Sequence, residues 1–198
     1  MGTAAPDQNE DDAVSATQTE TPAGRAIVPV SMSLYDTDFQ AFSDALDASF
    51  ARYGFAVIAD HGLDEARIAA ALDDAKAFFA LPEDVKRQYH QPGTAGPRGL
   101  TPFGVEAAKG AATVDLKEFW HVGRELPDGH PYRKYMRDNV WPTEVEGFRE
   151  HLYGMFEDLD RLGARVLRAI ARSLKLGEDF FEDKVQLGNR VLRMLHYP

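Results

Sequence analysis

Apolar residues recur at helical spacing in three long segments of the chain, and short apolar runs between these segments indicate strands. The first helix is predicted to start after a cap at Asp36 or Thr37 and to end at Gly54, because these residue types favour helix ends. Its inward side is expected to comprise Phe39, Phe42, Leu46, Phe50 and Tyr53.

A second helical segment begins after Asp64, another residue type that caps helices. The following Leu81-Pro82 pair breaks it, and Pro82 suits the first turn of a short helix that runs through Tyr89. The inward side of the second helix is predicted to comprise Ile68, Leu72, Ala75 and Phe79.

The third and longest helix is predicted to begin at Thr143, because Thr143 and Glu146 have the spacing of a capping box. Gly177 lies just past its predicted end, and a short helical piece follows around Phe180 and Phe181. The apolar side is expected to pack on a sheet as core, and it comprises Phe148, Leu152, Phe156, Leu159, Leu162, Val166, Ile170 and Leu174.

Strands are predicted at 27–30, 55–59, 116–122 and 191–198, where apolar residues are continuous or alternate. The last of these runs ends in Tyr-Pro, which is typical of a strand that leads into a turn. Residues 90–113 contain several glycines and prolines and few long aliphatic side chains, so they are predicted to form a long loop. Long loops in compact domains are often functional.

Residues 1–26 differ in composition from the rest of the chain. Acidic residues outnumber the single base, Arg25, and aromatic residues are lacking. Such a segment cannot bury enough apolar surface to offset the entropy lost on ordering. The sequence therefore predicts a disordered, solubilising acidic tail at 1–26 and one domain at 27–198.

Composition argues against several classes of function. The net charge is −10 and the pI is about 5.0, with basic residues scattered among acids, which predicts no binding to nucleic acid. No apolar stretch is long enough to cross a membrane, and the first residues lack the pattern of a secretory signal. The lack of cysteine excludes disulfides and thiolate metal sites, and it fits a cytoplasmic location.

Four segments, in order along the chain, resemble one family of enzymes. They are the opening strand 27–30, the strand and turn Gly-Phe-Ala-Val-Ile-Ala-Asp-His-Gly at 54–62, the junction Phe-Phe-Ala-Leu-Pro-Glu-Asp-Val-Lys at 78–86, and Arg-Met-Leu-His-Tyr-Pro at 193–198. The segment 115–123 adds to the resemblance. The family is the isopenicillin N synthase-like branch of the non-haem iron(II), 2-oxoglutarate-dependent oxygenases, and the resemblance covers about residues 27–198.

The resemblance implies an α+β fold in which helices pack on a partial double-stranded β-helix (jelly-roll) sheet, incomplete in this chain because the match is to the family's N-terminal region. The complete protein would be an oxidoreductase that uses iron(II), 2-oxoglutarate and O2 to oxidise a small organic substrate. In the family, a His-x-Asp pair and a distant histidine hold the metal and leave positions open for cosubstrate and oxygen.

The sequence lacks that pair in its usual form. The residues two positions after the six histidines are Leu63, Pro92, Gly123, Tyr132, Tyr153 and Pro198, and none of them is a carboxylate. We therefore expect no catalytic residue and no metal ligand of the family's kind in this chain, and no iron-dependent turnover by these residues alone. His121 and His196, on predicted strands, are interpreted as core or interface residues.

Four residues are candidates for contact with small molecules. Tyr197 corresponds to a family tyrosine that often contacts 2-oxoglutarate or the substrate, and its alternative role is that of a core residue. Arg98 and Phe103 lie in the long loop, which approaches the substrate in relatives. Arg98 could hold a substrate carboxylate through two parallel hydrogen bonds, or it could be a solvated loop residue. Trp120 could form a wall of the active site or pack in the core.

Two other classes of function remain open at this point. One is an oxidase that uses iron and O2 without 2-oxoglutarate, as the namesake of the family does. The other is a non-catalytic module, either a short paralogue or a fragment, that pairs with another chain. An incomplete sheet exposes strand edges, and such edges invite pairing with a further strand.

Overall fold

The computed structural model describes residues 26–92, 98–106 and 114–198. Within them, the strands are β1 (Val30–Ser31), β2 (Ile58–Ala59), β3 (Gly99–Thr101), β4 (Glu118–Gly123) and β5 (Val191–His196). The helices are α1 (Ser33–Thr37), α2 (Phe39–Tyr53), α3 (Glu65–Phe79), α4 (Glu83–Lys86), α5 (Phe148–Ser173) and α6 (Glu182–Val185), with 3₁₀ turns at Arg87–Tyr89 and Pro131–Lys134. Apart from Ala26, the predicted acidic tail lies outside the described residues.

Helix α2 confirms the first helix prediction, except that its start is shifted and that Phe50, predicted to face inward, is 39% exposed. Its cap is Asp38, whose side chain accepts a hydrogen bond from the backbone N–H of Ala41 at 2.9 Å. Asp36 and Thr37, the predicted caps, belong instead to the short helix α1. Gly54 ends α2 with a left-handed backbone, φ +76°, a conformation that glycine adopts without steric cost.

Helix α3 is capped by Asp64 as predicted, and its inward side differs at one position. The Asp64 carboxylate accepts from the backbone N–H groups of Ala66 and Arg67. Leu72, predicted to face inward, is 44% exposed, and Ala71 is buried in its place.

Helix α5 begins at Phe148, so the prediction of a start at Thr143 was wrong. Gly147 precedes it with a left-handed backbone, φ +81°, which interrupts a helical path from Thr143. The first turns bury Phe148, Leu152 and Phe156 as expected. Leu174, predicted at the inward end, is 58% exposed and caps the end of the helix.

Three predictions for the strands needed correction. The predicted strand 27–30 overlaps β1 only at Val30, and Ile27 and Val28 are exposed. Of the predicted strand 55–59, the pairing part is β2, which runs parallel to β1 with Val30 opposite Ile58. Phe55 and Val57, expected to be buried, are 47% and 41% exposed because they precede the paired segment. The predicted long loop 90–113 contains the strand β3, since Gly99 to Thr101 pair with β4.

The larger sheet has the order β3-β4-β5 and is antiparallel throughout. Helices α3 and α5 cover one face of it, and the core between them comprises Ala71, Ala75, Phe78, Phe79, Leu100, Trp120, Val122, Phe148, Leu152, Phe156 and Met194. A second cluster joins β1 and α2 to the distal half of α5. The mixed helix-and-strand architecture is thus confirmed. Among the described residues, no helix has the length and apolar character needed to span a membrane.

Candidate functional site

The two faces of the β3-β4-β5 sheet differ in chemistry. Side chains alternate along a strand, so Glu118, Trp120 and Val122 of β4 point to the helices, whereas Phe119 and His121 lie on the opposite face. We call this opposite face the outer face. The candidate site residues divide between the two faces.

Trp120 lies in the core between the sheet and the helices. It is fully buried, and its ring centroid is 4.6 Å from that of Phe78 and 5.1 Å from that of Phe148, both in edge-on contact. No acceptor among the described residues takes a hydrogen bond from its buried indole Nε1. This placement favours the core-packing alternative for Trp120, and it offers no open surface for a substrate.

A buried ionic cluster lies where β4 begins and β5 ends. The Lys86 Nζ donates to both carboxylate oxygens of Glu118, at 2.7 and 2.8 Å, and it also lies 3.3 Å from Glu83. The His196 Nδ1 lies 3.0 Å from Oε1 of the same Glu118. Glu118 is fully buried and Lys86 is 5% exposed. Burying charges is tolerated only when they are paired in this way.

Two aromatic rings enclose this cluster. Phe79 stacks on the His196 imidazole, with 5.1 Å between ring centroids and 18° between ring planes. Phe103 lies 6.3 Å from the same imidazole, and the Lys86 Nζ lies 5.7 Å from the centre of its ring. The structure thus brings Phe103, one of the predicted substrate contacts, to the ionic cluster.

Arg193 dominates the middle of the outer face. Its Nε donates to Nε2 of His121 at 2.6 Å, and its guanidinium lies 4.5 Å above the ring of Phe119. These contacts hold the guanidinium beside the sheet, and its terminal NH1 lies 3.9 Å from Glu106. The His121 Nε2 therefore accepts a hydrogen bond in this arrangement.

Lys117 connects the start of β4 to the loop after β3. Its Nζ lies 2.8 Å from Asp115 and 2.9 Å from Glu106. The hydrogen bonds to Asp115 and Glu106 raise the pKa of Lys117 above its ordinary value, and burial opposes the shift. The charge of Glu106 is therefore balanced locally.

Arg98 is buried rather than displayed in an open loop. Its Nε donates to the backbone oxygen of Arg137 at 3.1 Å, and a terminal nitrogen donates to Oδ1 of Asn189 at 3.3 Å. Burial lowers the pKa of the Arg98 guanidinium, and the charge of Asp138 opposes that shift. The predicted contact of Arg98 with a substrate carboxylate stays a prediction, and these bonds would compete with it.

Tyr197 directly follows β5 and is 66% exposed. By the alternation of the strand it continues the outer-face row of Arg193 and Leu195, and Leu195 is also exposed. Its core alternative therefore does not describe this structure, and its predicted contact with 2-oxoglutarate stays a prediction.

Iron requires a set of nitrogen and oxygen ligands that these residues do not provide. Across residues 26–92, 98–106 and 114–198, no group of three His, Cys, Asp or Glu side chains converges closely enough to hold a metal ion. The charged side chains nearest to the candidate residues are committed to one another, as Lys86 and Glu118 show. The residues described here therefore do not fit a complete iron site.

The ionic cluster was not recognised from sequence as a site. One signal was available, since Glu118 has the same strand parity as the buried Trp120 and Val122 and must therefore point to the core. A buried carboxylate needs a cation. Its partner Lys86 ends the junction segment 78–86, and their contact depends on the tertiary fold.

Comparison with known proteins places this architecture in a family. Residues 28–144 match the family model described as non-haem dioxygenase in morphine synthesis, N-terminal. A Caulobacter crescentus protein assigned to the 2OG-Fe(II) oxygenase family is 58% identical in sequence, with a TM-score of 0.80 over 87% of this chain and 56% of that chain. A full-length Neurospora crassa protein, solved in complex with alpha-KG and thymine, is 25% identical, with a TM-score of 0.73 over 90% of this chain and 57% of that chain.

Curated relatives agree with the structural neighbours. Proline hydroxylase buaE of Petromyces alliaceus is 32% identical over 166 residues, which are 80% of this chain and 50% of that protein. The 2-oxoglutarate-dependent dioxygenase htyE of Aspergillus rugulosus is 31% identical over 166 residues, which are again 80% of this chain and 50% of that protein. The chain spans about half the length of the curated relatives it matches.

The fold of the chain and its matches to these relatives define a protein of the non-haem, 2-oxoglutarate-dependent oxygenase class. The chain belongs to the non-haem dioxygenase family, and it matches the N-terminal region of that family.

Proposed function

We propose that this chain forms the helical scaffold and the first sheet strands of an iron(II)- and 2-oxoglutarate-dependent oxygenase that acts on a small organic substrate. The observation that carries the proposal is the uneven sheet: helices α3 and α5 cover one face of β4 and β5, while the outer face presents Arg193 and Tyr197. In this proposal the sheet is part of a jelly roll, and its outer face lines the interior.

Iron(II) and 2-oxoglutarate are the cofactors that the family membership supports. Because the described residues do not fit a complete iron site, the proposal assigns the metal ligands to residues outside these segments. The chain's own contribution is to position 2-oxoglutarate and the substrate and to enclose them. Tyr197 is assigned to 2-oxoglutarate, and Phe103 and Arg98 to the substrate side of the pocket.

The names of the relatives support the class of substrate and leave its identity open. One relative is a proline hydroxylase, and a solved neighbour holds thymine, so small organic molecules recur among related proteins. The positive charge of Arg193 on the outer face suits a substrate with an anionic or strongly polar group.

A second candidate function is an interaction module. Within the described residues, β5 is the edge of its sheet, and an apolar groove of about 600 Å³ runs beside it along α5. Leu159, Val166 and Leu192 line this groove, together with the ion pair of Arg190 and Asp160. A groove of this kind beside a free strand edge suits pairing with a further strand.

The test joins residues 27–198 to the part of the Caulobacter relative that follows the matched region, and it compares this joined protein with the chain alone. Both are titrated anaerobically with iron(II) and 2-oxoglutarate. We expect a visible charge-transfer band, and succinate after O2 is added, from the joined protein. We expect neither from the chain alone.

A Tyr197→Phe version of the joined protein tests the role assigned to Tyr197. It should require more 2-oxoglutarate for half-maximal turnover than the joined protein with Tyr197. Succinate formed by the 198-residue chain alone would overturn the scaffold role. A folded joined protein that consumes O2 without 2-oxoglutarate would favour the oxidase alternative. A folded joined protein that binds no iron would favour the interaction module.

A further inference from the structure

The cluster of Lys86, Glu118 and His196 is poorly explained as a source of stability. Removing two charges from water carries a desolvation cost that often cancels their attraction, and apolar pairs of similar volume are frequently as stable or more stable. Two of the three side chains are nevertheless almost completely buried. The cluster has a clearer effect on geometry, because its contacts restrict the orientation of the His196 ring.

The imidazole of His196 is constrained from three directions. The Nδ1 of His196 lies 3.0 Å from Oε1 of Glu118, Phe79 stacks on one face of the ring, and Phe103 lies obliquely to it. An ionised carboxylate offers no hydrogen to donate, so the Nδ1 of His196 must carry one. The Nε2 edge then points away from Glu118, and the His196 side chain as a whole is partly exposed.

Lys86 holds the carboxylate of Glu118 in place, and that carboxylate in turn orients the imidazole of His196. By binding both oxygens of Glu118, the ammonium group prevents rotation of the carboxylate about its last bond. Glu83, three residues earlier on α4, holds the ammonium from another side at 3.3 Å. The orientation of His196 is therefore tied through Glu118 to the short helix α4.

The same contacts reach the end of β5. Glu118 and His196 are directly opposite each other in the last pair of the β4-β5 ladder, and Tyr197 is the next residue. We propose that Lys86 and Glu118 are positioning residues that fix the ring of His196 and, through the end of β5, the direction of Tyr197. The part that concerns Tyr197 as a contact for 2-oxoglutarate rests on the proposed function, whereas the orientation itself does not.

The experiment measures orientation separately from stability. The chain is labelled with ¹⁵N,¹³C-histidine and with 3-fluorotyrosine, and the His196 and Tyr197 signals are assigned with His196→Gln and Tyr197→Phe. At about pH 9, where an ordinary imidazole is neutral, NMR reports which ring nitrogen carries the hydrogen. In the unmodified chain we expect the Nδ1–H form of His196 to exceed the other by about tenfold or more.

The variant is the double substitution Lys86→Met with Glu118→Leu, which removes both charges together. We expect its urea midpoint to change by less than about 0.5 M. The tautomer ratio of His196 should fall at least about fivefold, and the Tyr197 fluorine signal should shift or broaden. Lys86→Arg keeps a cation beside Glu118 and should preserve both signals.

An internal control is His151, whose Nδ1 lies 2.7 Å from the Asp74 carboxylate in another part of the fold. Its tautomer ratio should stay unchanged in every variant. Unchanged His196 and Tyr197 signals in a folded double variant would overturn the proposal. If that variant does not fold, a mixed or Nε2–H tautomer of His196 in the unmodified chain would overturn it equally. None of these outcomes depends on oxygenase activity.

Discussion

The guanidinium of Arg98 lies directly against the backbone of Gly123 on the outer face of the sheet. A Cβ atom at Gly123 would overlap the guanidinium, which is held in place by bonds to Arg137 and Asn189. We expect Gly123→Ala to lower the free energy of unfolding by about 1–3 kcal/mol, because the displaced guanidinium would lose these partners. Urea unfolding followed by circular dichroism measures the change.

Gly163, in the middle of α5, is the matched control for that substitution. A Cβ there would meet no atom of the described residues within 4 Å. Gly163→Ala should therefore raise the free energy of unfolding by about 0.5–1 kcal/mol, since alanine favours a helix. If Gly123→Ala left the free energy of unfolding unchanged or raised it, the Arg98 side chain would have moved aside without loss of stability, contrary to the packing described.

The core position of Trp120 can be tested by the effect of its substitution on the free energy of unfolding. Trp120→Phe leaves a cavity, but it also removes the buried Nε1 donor, for which the described part of the chain offers no acceptor. These effects oppose each other, so we expect a loss of about 1–2 kcal/mol, smaller than the roughly 3–5 kcal/mol typical of a Trp→Ala change in a core. Urea unfolding should show both losses. Equal stability of Trp120→Ala and the unmodified chain would contradict the core assignment.

The sequence patterns predicted those features that depend on neighbouring residues. The end of α2 at Gly54, the cap of α3 at Asp64 and the strand β5 each follow from interactions within one or two turns or from simple alternation. Such interactions are visible in a short window of sequence. The family resemblance then supplied the class of protein, which the comparisons confirmed.

The features that were missed depend on distant contacts. Strand β3 lies in a segment rich in glycine and proline, and it is a strand because β4 offers it partners. One miss is local instead, because the capping box at Thr143 was outweighed by the left-handed backbone of Gly147, four residues further on. Lys86 and Glu118 are 32 residues apart, so nothing local in the sequence indicates their pairing.

The cap of α3 gives a prediction about local stability. Asp64 accepts from two backbone N–H groups at the start of the helix, so Asp64→Ala should cost about 0.5–2 kcal/mol. Amide hydrogen exchange should rise most in the first turn of α3. Asp64→Asn, which keeps an acceptor, should recover most of the loss. Uniform exchange along α3 in the alanine variant would contradict the capping role.

Glu125 links the segment after β4 to α5, and its pKa gives a prediction about pH. Burial tends to raise the pKa of this carboxyl, but hydrogen bonds from Arg149, Asn139 and Trp141 outweigh that effect and lower it below the ordinary 4.5. A carboxyl whose folded pKa is depressed stabilises the fold fully above its ordinary pKa. That contribution is lost as the pH falls through the lower folded value.

Glu125→Gln should therefore reduce the free energy of unfolding by about 1–2 kcal/mol at pH 7, where the three donors face an amide instead of a carboxylate. The difference from the unmodified chain should shrink below about pH 4, because protonation of Glu125 removes the same charge. Urea unfolding from about pH 7 to about pH 3 measures it, with Glu157→Gln on the exposed side of α5 as the control. A difference that stays constant over this range would show that packing, and not the charge of Glu125, stabilises this contact.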